Sequence, residues 1–337
     1  MNCFVDFYFV ICIVVFMANN THDRYRWLSM PQDRWECTAE YSKCEGWEYK
    51  FTCDYDVCCE MQDEYRDAIS RYNSFLMECN KLITGNGNYA LWFRGQANKD
   101  WLVMPGVLRE DFIQTSYTNS FTQSKLTPIQ RIVEQERCLM DMFIREGHAF
   151  CSAEVSPERW YMLAQHHGLP TRLLDWSNSP LVALWMAVER TADDSDGIII
   201  AIEPTPLEEK NVRFWNQERL NKLYGFLTKQ TEFNLENEMY DHEAIIPISP
   251  PRFNTRLSQQ RSHFTLHTPA SPDSSTPSNV DIGNSFDYKE FIITKEEKAF
   301  FRAYLLSMGI QRWTLWPGLD SVARGIKEAC LVSRVSN

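Results

Sequence analysis

Leu163 to Ala187 reads LAQHHGLPTRLLDWSNSPLVALWMA. It carries, in order, the signals of a helix, a stop, a strand and a second helix. The first helix opens upstream at SPERWYM, with Ser156 as N-cap and Pro157 at the first helical position, where a missing N–H costs nothing; Gly168 closes it. Trp160, Leu163, Ala164 and His167 recur at i, i+3, i+4 and i+7, which predicts His167 as a hydrogen-bonded core histidine and turns His166 toward a cleft. After the Pro-Thr turn, Leu173 to Trp176 has strand length, and Arg172 and Asp175 interrupt its leucines to give one polar face. Ser179 then precedes Pro180, and Leu181, Leu184, Trp185 and Val188 share one helical face. The free amides after Ser179 and the positive end of that helix predict an anion site.

Outward from this stretch, helices and strands interleave without strict βαβ repetition. A helix is predicted over 60–82, closed by Gly85-Asn86-Gly87-Asn88, followed by a strand at Tyr89–Phe93. Ile129, Ile132, Val133, Met140, Phe143 and Ile144 share one face of another helix, and Glu136 falls on that same face. Further strands are expected at Gly197–Ile202, Ala244–Ile248, His263–His267 and Phe291–Thr294. Thr294-x-x-Glu297 forms a capping box before a helix that runs to Gly309, and Leu319, Val322, Ala323 and Ile326 are in phase on a last helix. The pattern predicts an α+β domain with a mixed or antiparallel sheet and flanking helices. It spans 61–335, after an irregular extension over 1–60. A Ser/Pro-rich insertion over 268–287 begins with TPASPDSSTPSN at Thr268–Asn279.

The chain has 337 residues, with 34 Lys+Arg against 45 Asp+Glu and a net charge of -11. That balance argues against bulk nucleic-acid binding, which needs a cationic surplus, though not against a small basic pocket. Phe7–Ala18 is a 12-residue apolar run, short of the roughly 20 residues that a membrane span requires. It lacks the preceding Lys or Arg of an export signal. An upstream extension, a buried helix and a degenerate anchoring signal all fit it. Five of the 11 cysteines crowd into Cys37, Cys44, Cys53, Cys58 and Cys59, at spacings unlike paired zinc ligands, so no metal is predicted. Reduced thiols and a cytoplasmic location are the expectation.

Arg94 ends an apolar strand run and precedes Gly95. A guanidinium so placed can take a phosphate or carboxylate bidentately while glycine admits the ligand to the backbone. A structural reading stands beside it: Glu136, a carboxylate on an apolar helix face, needs a cation, and Arg94 could supply it. The two are compatible if Glu136 orients Arg94. A nucleophilic triad from Ser177, His166 and Asp175 lacks the glycine-flanked elbow such sites use.

Phe93-Arg94-Gly95-Gln96, Trp101-Leu102 with Pro105, Leu108-Arg109 and the AQHHGLPTRLLDWSNSPLVALWMA stretch resemble the FRG domain, named for its Phe-Arg-Gly signature. Arg256-Leu257 with Gln259-Gln260-Arg261, and Leu315-Trp316-Pro317-Gly318-Leu319-Asp320, resemble that family's later motifs, so the likeness spans about 65 to 330. A second, weaker resemblance is to mono-ADP-ribosyltransferases, in the order Phe93-Arg94-Gly95, Ser177-Asn178-Ser179, Asp241-His242-Glu243. It implies an enzyme that takes NAD as substrate, an ADP-ribosyltransferase or NAD glycohydrolase. Arg94, with Gly95 and Gln96, would hold the pyrophosphate or ribose, Ser177 and Ser179 would brace the ribose pocket, and Glu243 would be the catalytic carboxylate. His166, Arg172, Asp175 and Gln259 complete the predicted polar lining. The alternative is a non-catalytic module that binds a nucleotide, an RNA end or a signalling partner.

Overall fold

The computed structural model describes residues 38–40, 50–52, 55–82, 91–109, 112, 128–151, 155–190, 194–204, 245–250, 252, 254–267 and 282–331. The apolar run at 7–18, the cysteines at 37, 44 and 53, the turn at 85–88 and Glu243 lie outside them; Cys58 and Cys59 fall in the first helix.

Thr38–Glu40 (β1) and Lys50–Thr52 (β2) form a small antiparallel pair. The main sheet comprises Trp92–Gln96 (β3), Leu173–Ser177 (β4), Gly197–Ile202 (β5), Ile245–Ile248 (β6), Ser262–His267 (β7) and Tyr288–Ile293 (β8), in the order β6-β7-β4-β3-β5-β8. Every neighbouring pair is antiparallel. The helices are Tyr55–Cys79 (α1), Pro128–Gly147 (α2), Pro157–His166 (α3), Pro180–Ala187 (α4), Thr255–Gln259 (α5), Ile282–Ser285 (α6), Glu297–Ser307 (α7), Arg312–Leu315 (α8) and Leu319–Leu331 (α9). The α+β architecture read from the sequence is the one observed, and its sheet is wholly antiparallel. None of the described helices is long and apolar enough to cross a membrane.

Both faces of the sheet are covered, which is why β5, GIIIAI, is buried at all six positions. On one face Phe93, Ile199, Phe291 and Ile293 pack under α4, α1 and α7, with Trp185, Tyr72 and Phe301 at the centre. Farther along the same face, Leu173, Phe264 and Leu266 pack with Trp160 and Tyr161 of α3 and Met140 of α2. The other face holds Trp92, Leu174, Trp176, Ile198, Ile200, Ile202 and Phe286. Each fully buried aromatic or aliphatic side chain contributes about 1.5–3 kcal/mol, so these three clusters, two on one face and one on the other, dominate the stability of the sheet. We call these the helix face and the far face.

The seam at the centre of the sheet is thin. A single registered pair, Phe93 with Ser177, joins β3 to β4, whereas six join β5 to β8. Gly95 explains what crosses that seam. A Cβ there would stand 1.8 Å from the Ala183 carbonyl oxygen, so α4 lies directly on the glycine.

Local signals held where backbone geometry decided them. Gly168, at φ 86, ends α3, with the Leu169 amide donating to Ala164. The Thr294 and Glu297 side chains exchange the two bonds of a capping box. The hydroxyls of Ser156 and Ser179 make no capping bond, although both precede helices with proline at the first turn. His167 is exposed rather than in the core, because α3 ends at His166 and the buried face comprises Trp160, Tyr161 and Ala164. The α9 stripe is present but faces solvent, with Leu319 86% and Ile326 52% exposed.

Candidate functional site

β3 alternates. Phe93 and Gly95 point to the helix face, so Trp92, Arg94 and Gln96 point to the far face. Arg94 is half-buried at the seam. Its Nη1 donates to the Asp175 backbone carbonyl at 2.8 Å, and its Nε donates to Gln96 Oε1 at 3.1 Å. Gln96 is buried and fixed in turn, donating from Nε2 to the Trp101 carbonyl at 2.8 Å. Arg94 therefore has a defined orientation. Among the described residues it forms no salt bridge. Burial pulls its pKa down to about 10; Asp175 opposes this and Arg109 adds to it.

Glu136 serves a different arginine. Arg172, just before β4, donates from Nε to Glu136 Oε2 at 2.7 Å, and its amide donates to Oε1 at 3.1 Å. The Tyr161 hydroxyl donates to the same carboxylate and accepts from the Arg172 amide at 2.9 Å. All three residues are fully buried. Burial and the Glu136 charge raise the Tyr161 hydroxyl well above its usual range, keeping it a donor. The expected Arg94–Glu136 pair is thus replaced by Arg172–Glu136. Carboxylate demand was legible in the sequence; which arginine met it was not.

The anion pocket expected from Arg94 and the α4 N-terminus does not form. α4 lies on the helix face, over Gly95, and the sheet separates it from the Arg94 guanidinium. The open side of Gly95, expected to admit ligand, is filled by α4. Ser177 is buried; its hydroxyl donates to the Gln260 carbonyl at 2.6 Å and accepts from the Ser179 amide at 3.0 Å. Ser179 is half-buried beside it, on the path into α4. Asp175 projects to the helix face, exposed, and accepts from Gln165 Nε2 at 2.6 Å. Gln259 is exposed, whereas its neighbour Gln260 is buried and donates to the Leu315 carbonyl at 3.1 Å. Glu243 precedes the described strand β6 by two positions.

Residues 89–196 match the family model of the FRG domain. The chain carries an FRG domain. No curated protein and no solved structure matches it. The matched stretch contributes β3 and β4, the two strands at the seam; β5 to β8, which complete the sheet, follow it in the chain.

Three further side chains of the main sheet lie on the far face near Arg94. Trp176 Nε1 donates to Thr265 Oγ1 at 2.9 Å, and Thr265 Oγ1 lies 3.0 Å from His267 Nε2. Burial, followed by the Arg94 charge, pulls the His267 pKa down to about 3, so at neutral pH it is an uncharged acceptor for the Thr265 hydroxyl. Apolar periodicity read His263–His267 as a strand but gave no reason to place His267 near Arg94. Only the β4–β7 register does so. Among the described residues no cluster of His, Cys, Asp and Glu could hold a metal ion.

Proposed function

We propose that the FRG domain binds a phosphate-bearing nucleotide through Arg94 and acts on NAD as an ADP-ribosyltransferase-type enzyme. The observation that carries this reading is Arg94 itself: a partly desolvated guanidinium, oriented by two neutral oxygens, in no salt bridge with a described carboxylate. Burying a charge is costly unless a counter-charge arrives, and a pyrophosphate matches the planar fork. In the reaction the glycosidic bond to nicotinamide breaks, the ring leaves with the bonding electrons, and water or an acceptor hydroxyl attacks the ribose carbon. A carboxylate stabilises the developing positive charge. Glu243 is assigned that role. Its support is that the following strand, β6, pairs Ile245 with His267, the histidine whose charge state Arg94 influences.

The second reading, a nucleotide-binding module without turnover, is favoured by the neutrality of both oxygens that hold Arg94. One experiment separates the two. Full-length protein is incubated with NAD, nicotinamide release is followed, and NAD binding is measured by calorimetry. Catalysis requires release that is lost in Glu243→Gln with binding retained; binding without release leaves the module. Arg94→Lys is expected to weaken NAD at least about tenfold, because an ammonium cannot reproduce the bidentate fork, while moving the melting temperature little. Undiminished binding by Arg94→Lys would sink both readings.

A further inference from the structure

The two outermost strands end the main sheet in different ways. Among the described residues, β6 and β8 each have a neighbouring strand on one side only. In an antiparallel ladder alternate residues turn their N–H and C=O toward the neighbour, and the rest turn them outward. The His267 amide donates to the Arg172 carbonyl at 3.0 Å, so His267 and Thr265 face β4 while Leu266 and Phe264 face β6. Their partners on β6 are Ile246 and Ile248, which leaves the backbone of Ile245 and Pro247 pointing outward. Proline has no N–H, so β6 lacks one of its outward donors, and Ile245, Pro247 and Ile248 are all buried. Such an edge is closed to a further strand.

β8 is the opposite case. The Glu203 amide donates to the Asp287 carbonyl at 3.3 Å, and the register continues unbroken, so Lys289, Phe291 and Ile293 face β5. Tyr288, Glu290 and Ile292 therefore turn their N–H and C=O outward, and no proline interrupts them. Their side chains stand opposite Ile202, Ile200 and Ile198, which places them on the far face. All three are exposed, Tyr288 at 43% and Ile292 at 44%, whereas the isoleucines opposite are buried. Outward backbone groups and exposed side chains thus belong to the same three residues. Along the edge they run apolar, acidic, apolar.

We propose that β8 takes up an extended segment of a partner protein as a further strand, antiparallel like every pairing in this sheet. The segment carries a lysine or arginine with an apolar residue two positions away on each side. Backbone bonds to Tyr288, Glu290 and Ile292 supply the attachment, and alternate side chains supply the choice of partner. The cation sits opposite Glu290, and the apolar residues sit opposite Tyr288 and Ile292, an aromatic and a β-branched side chain that favour cross-strand packing. The net charge of -11 adds a general attraction for a basic segment. A second copy of this chain fits less well. The two-fold pairing that uses all three outward residues sets Glu290 directly against its own counterpart, and like charges so placed repel.

The test is fluorescence anisotropy of a labelled peptide, Thr-Val-Thr-Lys-Thr-Val-Thr with blocked ends, titrated with the full chain. Replacing the peptide lysine by glutamate is expected to weaken binding about tenfold or more. Methylating the backbone nitrogen of that lysine keeps its side chain but deletes a bond to Glu290, and should cost a similar factor of about ten. In Glu290→Lys the preference should reverse, the glutamate peptide binding more tightly than the lysine peptide. Glu290→Pro removes an outward N–H and no bond to β5, so it should abolish binding while leaving the melting temperature close to that of the parent. No binding of the lysine peptide, equal affinity for its methylated form, or an unreversed preference in Glu290→Lys would overturn the proposal. So would a dimer in sedimentation that dissociates in Glu290→Pro, because the edge would then belong to a second copy. Should Glu290→Pro fail to fold, the three peptides compared on the wild-type protein still decide.

Discussion

Arg172 and Arg94 stand one strand apart at the middle of the sheet, and the groups around them differ in kind. Arg172 is sealed from solvent with Glu136 and Tyr161, its Nε paired to the carboxylate to which the Tyr161 hydroxyl also donates. Arg94, half-buried, is held by one amide and one carbonyl and forms no salt bridge with a described carboxylate. A closed ion pair contributes to a defined fold and offers nothing to a ligand. An oriented charge without a counter-charge costs stability and has attraction left to spend. The difference between the two regions is therefore a division between holding and binding.

The largest effect should come from breaking the closed pair. Glu136→Gln leaves Arg172 buried without its carboxylate and is expected to cost about 3–5 kcal/mol in urea unfolding; a loss below about 1 kcal/mol would deny the pair its structural role. Next is Gly95→Ala, where the added methyl meets a backbone oxygen of α4 that cannot rotate away. An overpacking cost of about 1–3 kcal/mol is expected, with the melting temperature as readout. A neutral outcome there would mean that α4 does not lie on β3 as described.

Acid should also distinguish the two regions. His267 has its pKa depressed from the ordinary 6.5 to about 3, so the unfolded chain takes up a proton there before the folded one does. Stability from this group is present in full above 6.5 and is lost as the pH falls toward 3, by up to about 1.4 kcal/mol per pH unit. His267→Gln should flatten the profile of unfolding free energy between pH 6 and 4, conditions taken from that same window. A slope unchanged by the substitution would place the acid sensitivity elsewhere, His166 and His263 being the other depressed histidines. The smallest contrast is between adjacent glutamines. Gln260→Ala removes a buried bond to Leu315 and should cost about 1–2 kcal/mol, whereas exposed Gln259→Ala should stay within about 0.5 kcal/mol. The reverse order would show that the turn between α5 and β7 is misread.

The sequence made the elements legible because their signals are local. β5 was expected over Gly197–Ile202 and is found there, and Gly168 and the Thr294–Glu297 box mark helix ends by chemistry within a few residues of each end. The short helices at 255–259, 282–285 and 312–315 escaped notice, being too brief for a periodic stripe. For the site, residue types were legible and faces were not. Arg94 and Ser179 both suit an anion, but a one-residue step from Arg94 to Gly95 reverses the side of the sheet, and no motif states which side the helix takes. Glu136 needed an arginine, and only tertiary packing chose Arg172. Arg256 and His166 are 90 positions apart, and the bond between them forms only because α3 and α5 meet.

The single pairing of Phe93 with Ser177 has a mechanical consequence. It divides the sheet into two three-stranded leaves, β6-β7-β4 and β3-β5-β8, sewn together by one stitch and by side chains laid across the join. Arg94, reaching from one leaf to a carbonyl of the other, is the principal thread. A guest that draws its guanidinium away from Asp175 would loosen that thread, so the grip on the guest and the grip of one leaf on the other are the same grip.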